Sequence, residues 1–326
     1  MKEAIILGTG RYVPERIVTN DDLSKIVDTS DEWISSRTGI KERRVSTKES
    51  NAEMAYYAAL QALKEADINN EDLELIIVAT ITPDTYTPST ACIVQKLLEA
   101  HRAVAFDVNA ACSGFIYSLS IAKQFISAGI YKNALIIGSE LLSKIVDWSD
   151  RNTCVLFGDG AGAAVLGSSE KKGIYDVILG ADGSKGDSLI CDAIPLSNAF
   201  TDEAKEVNKG SFVKMEGREV FKFATSKIIE SIQILLEKYS VSIEEIAYII
   251  PHQANYRIID FAAKKLNVDI SKFYIDLDKY GNTSSASIPI ALDEMNKKSM
   301  LKKNDKIIMV GFGGGLTYGA TLVEWR

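Results

Sequence analysis

Histidine is almost missing from this chain. Its 326 residues hold two, His101 and His252, so chemistry that needs an imidazole has two candidates. Cysteine is sparse as well. Cys92, Cys112, Cys154 and Cys191 stand far apart with no C-x-x-C pair, which argues against a disulfide framework and a structural zinc site. Long apolar runs are lacking. A stretch such as 75–79 falls far short of the roughly 20 residues a membrane-spanning helix takes. The first apolar run, 4–7, ends at Gly8 and is too short for a signal-peptide core, so reduced thiols in the cytoplasm are expected. There is no excess of positive charge either. Lys and Arg number 37 against 44 Asp and Glu, a net charge of −7, which argues against nucleic acid as the main partner.

What is present is an ordinary globular composition, 46% hydrophobic and 25% charged, in a length that suits about two domains or one large one. Matched features recur at an offset of 173. The amphipathic segment 51–66 sets Ala52, Ala55, Tyr56, Ala59, Leu63 and Ala66 on one face. At 224–239, Ile228, Ile229, Ile232, Leu235 and Leu236 repeat the spacing. An acidic turn and an apolar strand follow each, at 73–78 and 246–250. The strand 135–138 matches 308–311, and 5–8 matches 177–180 with a one-residue slip. Strands alternating with helices in both parts predict a duplicated α/β architecture of parallel β-α-β units, with halves at 1–172 and 173–326. The polar stretch 182–209 reads as an excursion from the sheet.

Two glycine-rich stretches are poor phosphate binders. Gly8-Thr9-Gly10 has no third glycine at the dinucleotide spacing, and Pro14 interrupts any helix after it. Gly158-Asp159-Gly160-Ala161-Gly162 lacks the Lys-Ser/Thr of a phosphate loop, and close backbone approach explains it better.

Three strings can carry chemistry. Cys112, in Asn109-Ala110-Ala111-Cys112-Ser113-Gly114, stands between an apolar strand and a helical pattern. There a helix N-terminus favours thiolate and can bind an oxyanion. His252, in Pro251-His252-Gln253-Ala254-Asn255, closes a buried-looking strand, at the sheet edge where α/β proteins bind ligands. His101 reads as a solvated loop histidine. Asn282, in Gly281-Asn282-Thr283-Ser284-Ser285-Ala286-Ser287, could be a turn and cap alone. However, Asn282 lies 173 after Asn109, and Ser285 lies 173 after Cys112. The two turns correspond, and a pseudo-twofold arrangement would bring both to one site. Gly311 to Gly315 follow a strand and can bring backbone N–H groups to a carbonyl.

These strings, with residues 32–40 and 157–163, resemble the β-ketoacyl-acyl-carrier-protein synthase III family from Leu7 almost to the end of the chain. The resemblance implies the thiolase fold, two similar halves in five α-β-α-β-α layers, as a homodimer. It implies a decarboxylating condensation of an acyl-CoA with malonyl-acyl-carrier protein. Cys112 would take the acyl group. His252 and Asn282 would donate hydrogen bonds to the thioester oxygen as carbon dioxide leaves, and the amides of Cys112 and Gly314 would form an oxyanion hole. CoA contacts would fall on Trp33, Arg37, Arg151, Arg218 and Asn255, with no metal or redox cofactor. Thr87, beside Tyr86, stands where relatives commonly have phenylalanine in a loop that closes the acyl pocket across the dimer interface, so a longer or branched starter is expected. A carrier-protein docking patch would use Arg257, Lys264 and Lys265 on a helix expected at 255–266, and Arg218 and Lys222 on a second short helix.

Two other readings stay open. One keeps the fold and changes the acyl acceptor or starter, as in a secondary-metabolism relative. The other is a papain-like cysteine peptidase, which shares the order Cys, His, Asn but differs in local signatures.

Overall fold

The computed structural model describes residues 2–195, 200 and 211–326. Two sheets form its framework. In the first, the strands run in the order Glu3–Tyr12, Gly160–Ser169, Asn133–Glu140, Leu75–Ala79, Val104–Val108. The last three are mutually parallel, and the other pairings are antiparallel. The second runs Ile246–Pro251, Lys306–Gly313, Thr317–Glu324, Ile174–Ala181, with one parallel and two antiparallel pairings. Its counterpart to the fifth strand is reduced to a single bridge between Ile249 and Phe273.

Helices Gly114–Ser127 and Ser287–Lys297 lie between the sheets, and both pack on strands of each. Helices Asn51–Ala66 and Thr90–Leu97 cover the outer face of the first sheet, and Gly217–Tyr239 covers that of the second with Tyr256–Leu266 packed beside it, its Ile258, Ile259 and Ala262 in one core cluster with Ile249 and Ile308. These are the five layers that the resemblance implies. The central helix Ser287–Lys297 buries even Asp293 and Glu294, so both carboxylates need partners. Arg11 and Thr9 supply them for Asp293, at 2.6 and 2.8 Å. For Glu294, burial alone would raise the pKa, but hydrogen bonds from Lys279, Lys298 and Tyr280 outweigh it and hold the group ionised.

Equivalent elements recur at the offset of 173. Strand Asn133–Glu140 corresponds residue for residue to Lys306–Gly313. Helices Asn51–Ala66 and Gly217–Tyr239 end at matching positions, each closed by a left-handed residue, Asp67 and Ser240. The second of these helices corrects an expectation. It begins seven residues before 224, so Arg218 and Lys222 ride on its first turns and not on a separate short helix. Apolar Val220, Phe221 and Phe223 extend its inward face toward the N-terminus, which gives the added turns something to bury. The excursion expected at 182–209 includes strand Leu189–Cys191, paired with Val213–Met215; residues 196–199 and 201–209 lie outside the described residues. No helix among the described residues is long and apolar enough to cross a membrane.

Candidate active site

Cys112 is the middle residue of the 3-10 turn Ala111–Ser113, which runs directly into helix Gly114–Ser127. Ala111 sits at φ 45°, a left-handed conformation that turns the chain sharply from strand to helix. Gly313 allows this turn to be approached closely, because a Cβ there would come within 2.5 Å of the Cys112 nitrogen. The thiol is buried, and burial pushes it up to about 12; hydrogen bonding from Ser284 pulls the other way, and the charge of Glu140 adds to the rise. At neutral pH Cys112 therefore rests as a thiol. This departs from the expectation that the helix N-terminus would favour thiolate, and loss of solvent is the reason.

His252 directly follows strand Ile246–Pro251. Its backbone N–H donates to the carbonyl of Val310 at 2.8 Å, which carries the ladder one residue past the strand end. The ring meets Phe312 edge-on at 5.1 Å between centroids. Nδ1 lies 2.7 Å from Ser287 Oγ. Burial drives the imidazole down to about 3, so the ring is neutral across the physiological range.

Asn282 ties the second half to the first. Its backbone N–H donates to the Leu156 carbonyl at 2.8 Å, and its own carbonyl accepts from Gly158 at 3.0 Å. The side-chain Oδ1 accepts from the Ser284 N–H at 2.8 Å, an Asx turn that settles which end of the amide is oxygen and leaves Nδ2 as donor.

Cys112, His252 and Asn282 line one cavity, with Leu156, Phe157, Leu189, Met215, Val220, Phe221, Ile258 and Phe312 making most of its wall apolar. The three residues are thus brought together from positions up to 170 apart in sequence. Asn255 and Gly313 also line it. Gly314, assigned to the oxyanion hole, is the next residue on, and a Cβ there would lie 3.5 Å from that of Ala111. Asn255 has a structural task too, since its side chain caps helix Tyr256–Leu266 by accepting from Arg257 N–H at 2.9 Å.

Outside the cavity, Arg37 and Arg151 flank the Trp33 ring at 4.4 and 5.4 Å from its centroid. Three expected CoA contacts thus form one cluster, and Arg151 is held there by the carbonyl of Asp28 at 3.0 Å. Arg218 is exposed on the first turn of helix Gly217–Tyr239. The docking candidates lie on helices Gly217–Tyr239 and Tyr256–Leu266, which touch through Phe221 and Phe261 and both supply residues that line the cavity. Their charges are partly spent: Lys222 pairs with Glu219, Lys264 with Asp260, and Arg257 donates to the Ser36 carbonyl. Tyr86 and Thr87 are not brought to the cavity. Both are exposed, Tyr86 at 78%, so within this chain neither gates the acyl pocket.

Sequence reading missed Glu140. This fully buried carboxyl ends strand Asn133–Glu140 and gathers Thr82, Ser284 and Ser285 hydroxyls at 2.7, 3.1 and 2.9 Å and the Ile81 N–H at 3.1 Å. Burial raises its pKa while these bonds oppose the rise. The signal in the sequence is a carboxylate three residues past the apolar run 134–137.

Comparison with known proteins agrees with this geometry. Residues 106–183 match the family model "3-Oxoacyl-[acyl-carrier-protein (ACP)] synthase III", and 236–325 match its C-terminal counterpart. The chain is 59% identical over 322 residues to a β-ketoacyl-[acyl-carrier-protein] synthase III from Clostridium novyi, covering 98% of each, and 55% identical to one from Clostridium acetobutylicum, covering 100% of this chain and 99% of that one. The crystal structure of the 3-oxoacyl-[acyl-carrier-protein] synthase III from Aquifex aeolicus superposes with a TM-score of 0.92 at 50% identity, over the whole of both chains. These matches remove the peptidase reading. With its duplicated fold and the Cys, His and Asn at one cavity, the chain belongs to the 3-oxoacyl-acyl-carrier-protein synthase III family, acyl-transferring condensing enzymes of fatty-acid synthesis.

Proposed function

We propose that the cavity runs a two-stage condensation in which Cys112 carries the acyl group and His252 and Asn282 stabilise the second nucleophile. In the first stage Cys112 Sγ gives up its proton and attacks the thioester carbonyl of an acyl-CoA. The carbonyl carbon's bond to the CoA sulfur breaks, CoA leaves as its thiol with a proton gained in exchange, and acyl-Cys112 remains. Residues Trp33, Arg37 and Arg151 suit the nucleotide end of CoA, an aromatic face for adenine and two guanidiniums for phosphates. The Cys112 and Gly314 amides suit the developing oxyanion.

In the second stage malonyl-acyl-carrier protein enters, and loss of carbon dioxide leaves an enolate on its thioester. A neutral imidazole and an amide Nδ2 are suited to this charge. Each donates a hydrogen bond without bringing a charge of its own, and the apolar wall keeps water from competing. The enolate carbon attacks the carbonyl of acyl-Cys112, the C–S bond breaks, the Cys112 sulfur leaves and regains a proton, and the 3-ketoacyl product stays on the carrier protein. The charge stabilisation comes from the chain's own donors, so the reaction takes acyl-CoA as substrate and needs no resident cofactor. The observation that carries this reading is the meeting of Cys112, neutral His252 and an oriented Asn282 in one largely apolar cavity.

A homodimer is part of the proposal. Strand Val104–Val108 is the open edge of the first sheet, with Val104 exposed at its start, and the exposed loop at Tyr86 and Thr87 would shape an acyl pocket only from a second copy. The starter is then set at that interface. Release of labelled carbon dioxide from malonyl-carrier protein, dependent on prior acylation of Cys112, is the expected result. Acylation of Cys112 with no carbon dioxide released would sink the condensation and leave only acyl transfer.

A further inference from the structure

We propose that Ser287 is a positioning residue: its hydroxyl hydrogen goes to His252 Nδ1, which fixes the ring proton on Nε2 and makes His252 a donor to the cavity and not a base. The inference builds on the roles just given for His252 and Cys112, and it decides between two opposite uses of one ring. A neutral imidazole carries its proton on one nitrogen and a lone pair on the other. With the proton on Nε2, the ring can hydrogen-bond an enolate. With the proton on Nδ1, Nε2 would be a lone pair able to take the Cys112 proton.

The arrangement around Ser287 favours the first. Its Oγ is 2.7 Å from Nδ1, and both side chains are buried. The same oxygen accepts from the backbone N–H of Gln253 at 3.4 Å. That N–H is held in place because the Gln253 side chain is pinned at both ends. Nε2 of Gln253 donates to the carbonyls of Pro251 and Tyr274 at 2.9 and 3.0 Å, and its Oε1 accepts from Asp276 N–H at 3.1 Å. If Nδ1 carried the ring proton, Ser287 Oγ would accept twice, and its own hydrogen would be buried with no acceptor among the described residues. Leaving a buried donor unpaired costs about 1–3 kcal/mol. Given to Nδ1, the hydrogen satisfies both Ser287 and Nδ1, and the Nε2–H is left for the cavity that His252 lines. Position 114, the counterpart of Ser287 at the offset of 173, is glycine, so the hydroxyl belongs only to the half that holds the histidine.

The chain's two histidines make the test direct. In protein labelled with ¹⁵N at histidine, long-range ¹H–¹⁵N spectra show two rings, and the buried one should be the pure Nε2–H tautomer. Ser287→Ala should shift it toward a mixture with Nδ1–H. Decarboxylation of malonyl-carrier protein by acylated enzyme should fall on the order of tenfold, less than the 10²–10³ for loss of an oxyanion donor outright, with acylation of Cys112 by acyl-CoA unslowed. Ser287→Thr should restore both tautomer and rate. A buried Nδ1–H ring in the intact protein overturns the proposal whatever the variants do. So does a Ser287→Ala protein with unchanged tautomer and unchanged decarboxylation. An intact protein with the Nε2–H ring but no carbon dioxide release would instead count against the proposed reaction and leave the tautomer standing.

Discussion

The turns Ala111–Ser113 and Ser284–Ala286 lie 173 positions apart, and each opens one of the two central helices. Each has one residue at positive φ, Ala111 at 45° and Ser284 at 50°. Each follows an asparagine whose Oδ1 accepts from the N–H two residues on, at 3.5 Å for Asn109 and 2.8 Å for Asn282. Each is met by a glycine of the opposite half, since a Cβ on Gly138 would strike the Ser285 carbonyl at 2.2 Å and one on Gly311 would crowd the Ser113 Cα at 3.3 Å. The backbones are alike, and the side chains differ. Cys112 lines the cavity, whereas its counterpart Ser285 is pinned to the Ala79 carbonyl and Glu140, both at 2.9 Å. Asn282 is buried and lines the cavity, whereas Asn109 is exposed. His252 stands opposite Ala79 and Ser287 opposite Gly114. Duplication built the scaffold, and the chemistry resides where the two halves disagree.

The largest effect should come from erasing that difference at the nucleophile. Cys112→Ser is expected to abolish acyl transfer, because a hydroxyl is a far poorer nucleophile than a thiol near neutral pH. Adding Ser285→Cys to it should restore nothing, since that side chain faces Ala79 and Glu140. Mass spectrometry after mixing with an acyl-CoA reads both, and an acyl group on residue 285 of the double variant would refute the account of the two turns. The pH dependence follows from the same burial. A thiol raised to about 12 gains thiolate with every step from pH 7 to 9, so intact enzyme should be acylated faster across that range without a plateau. His252, lowered to about 3, stays neutral through pH 6–7, where an ordinary imidazole would protonate, so it should give no acid limb there.

Next in size is the contrast between the two asparagines. Asn282→Ala should leave Cys112 acylation in place and slow malonyl decarboxylation by on the order of 10²–10³. The same change at Asn109 removes only a long turn contact and should alter both steps little. Equal loss at the two positions would mean that Asn282 serves the turn alone.

Much of this was legible in the sequence, because the features that carry it are local or periodic. The offset of 173 located the paired helices and strands, and the motif strings around Cys112, His252 and Asn282 gave the residues of the cavity. Contacts between distant segments were not legible. Glu140 lies just past the apolar run 134–137, and only the folded chain brings Thr82, Ser284 and Ser285 to it. Ser287 sat in plain view as the last residue of a capping string, and only folding placed it against His252. The rise in the Cys112 pKa also escaped a reading that could weigh the helix terminus but not the burial.

The smallest effect should be at the rim. The two helices on the outer face of the second sheet carry the docking candidates, but Lys222 and Lys264 already face Glu219 and Asp260. Lys265 stacks on Phe261 at 5.6 Å, and Arg257 reaches the Ser36 carbonyl at 2.9 Å. Reversing Arg257 and Lys265 together, each to Glu, should raise KM for malonyl-carrier protein several-fold at low salt, because rim charges act on encounter and are screened. The expected gap between intact and reversed enzyme narrows as salt is added. The acyl-CoA half-reaction separates docking from damage. Ser36 belongs to helix Asp31–Thr38, which also carries Trp33 and Arg37, so a disturbed Arg257 contact would raise KM for acyl-CoA as well. A rise confined to the carrier-protein substrate places the docking surface on these helices, and a rise in both shows that Arg257 acts through the cluster of Trp33, Arg37 and Arg151. Insensitivity of carrier-protein KM to both the reversal and salt would move the docking surface off this face.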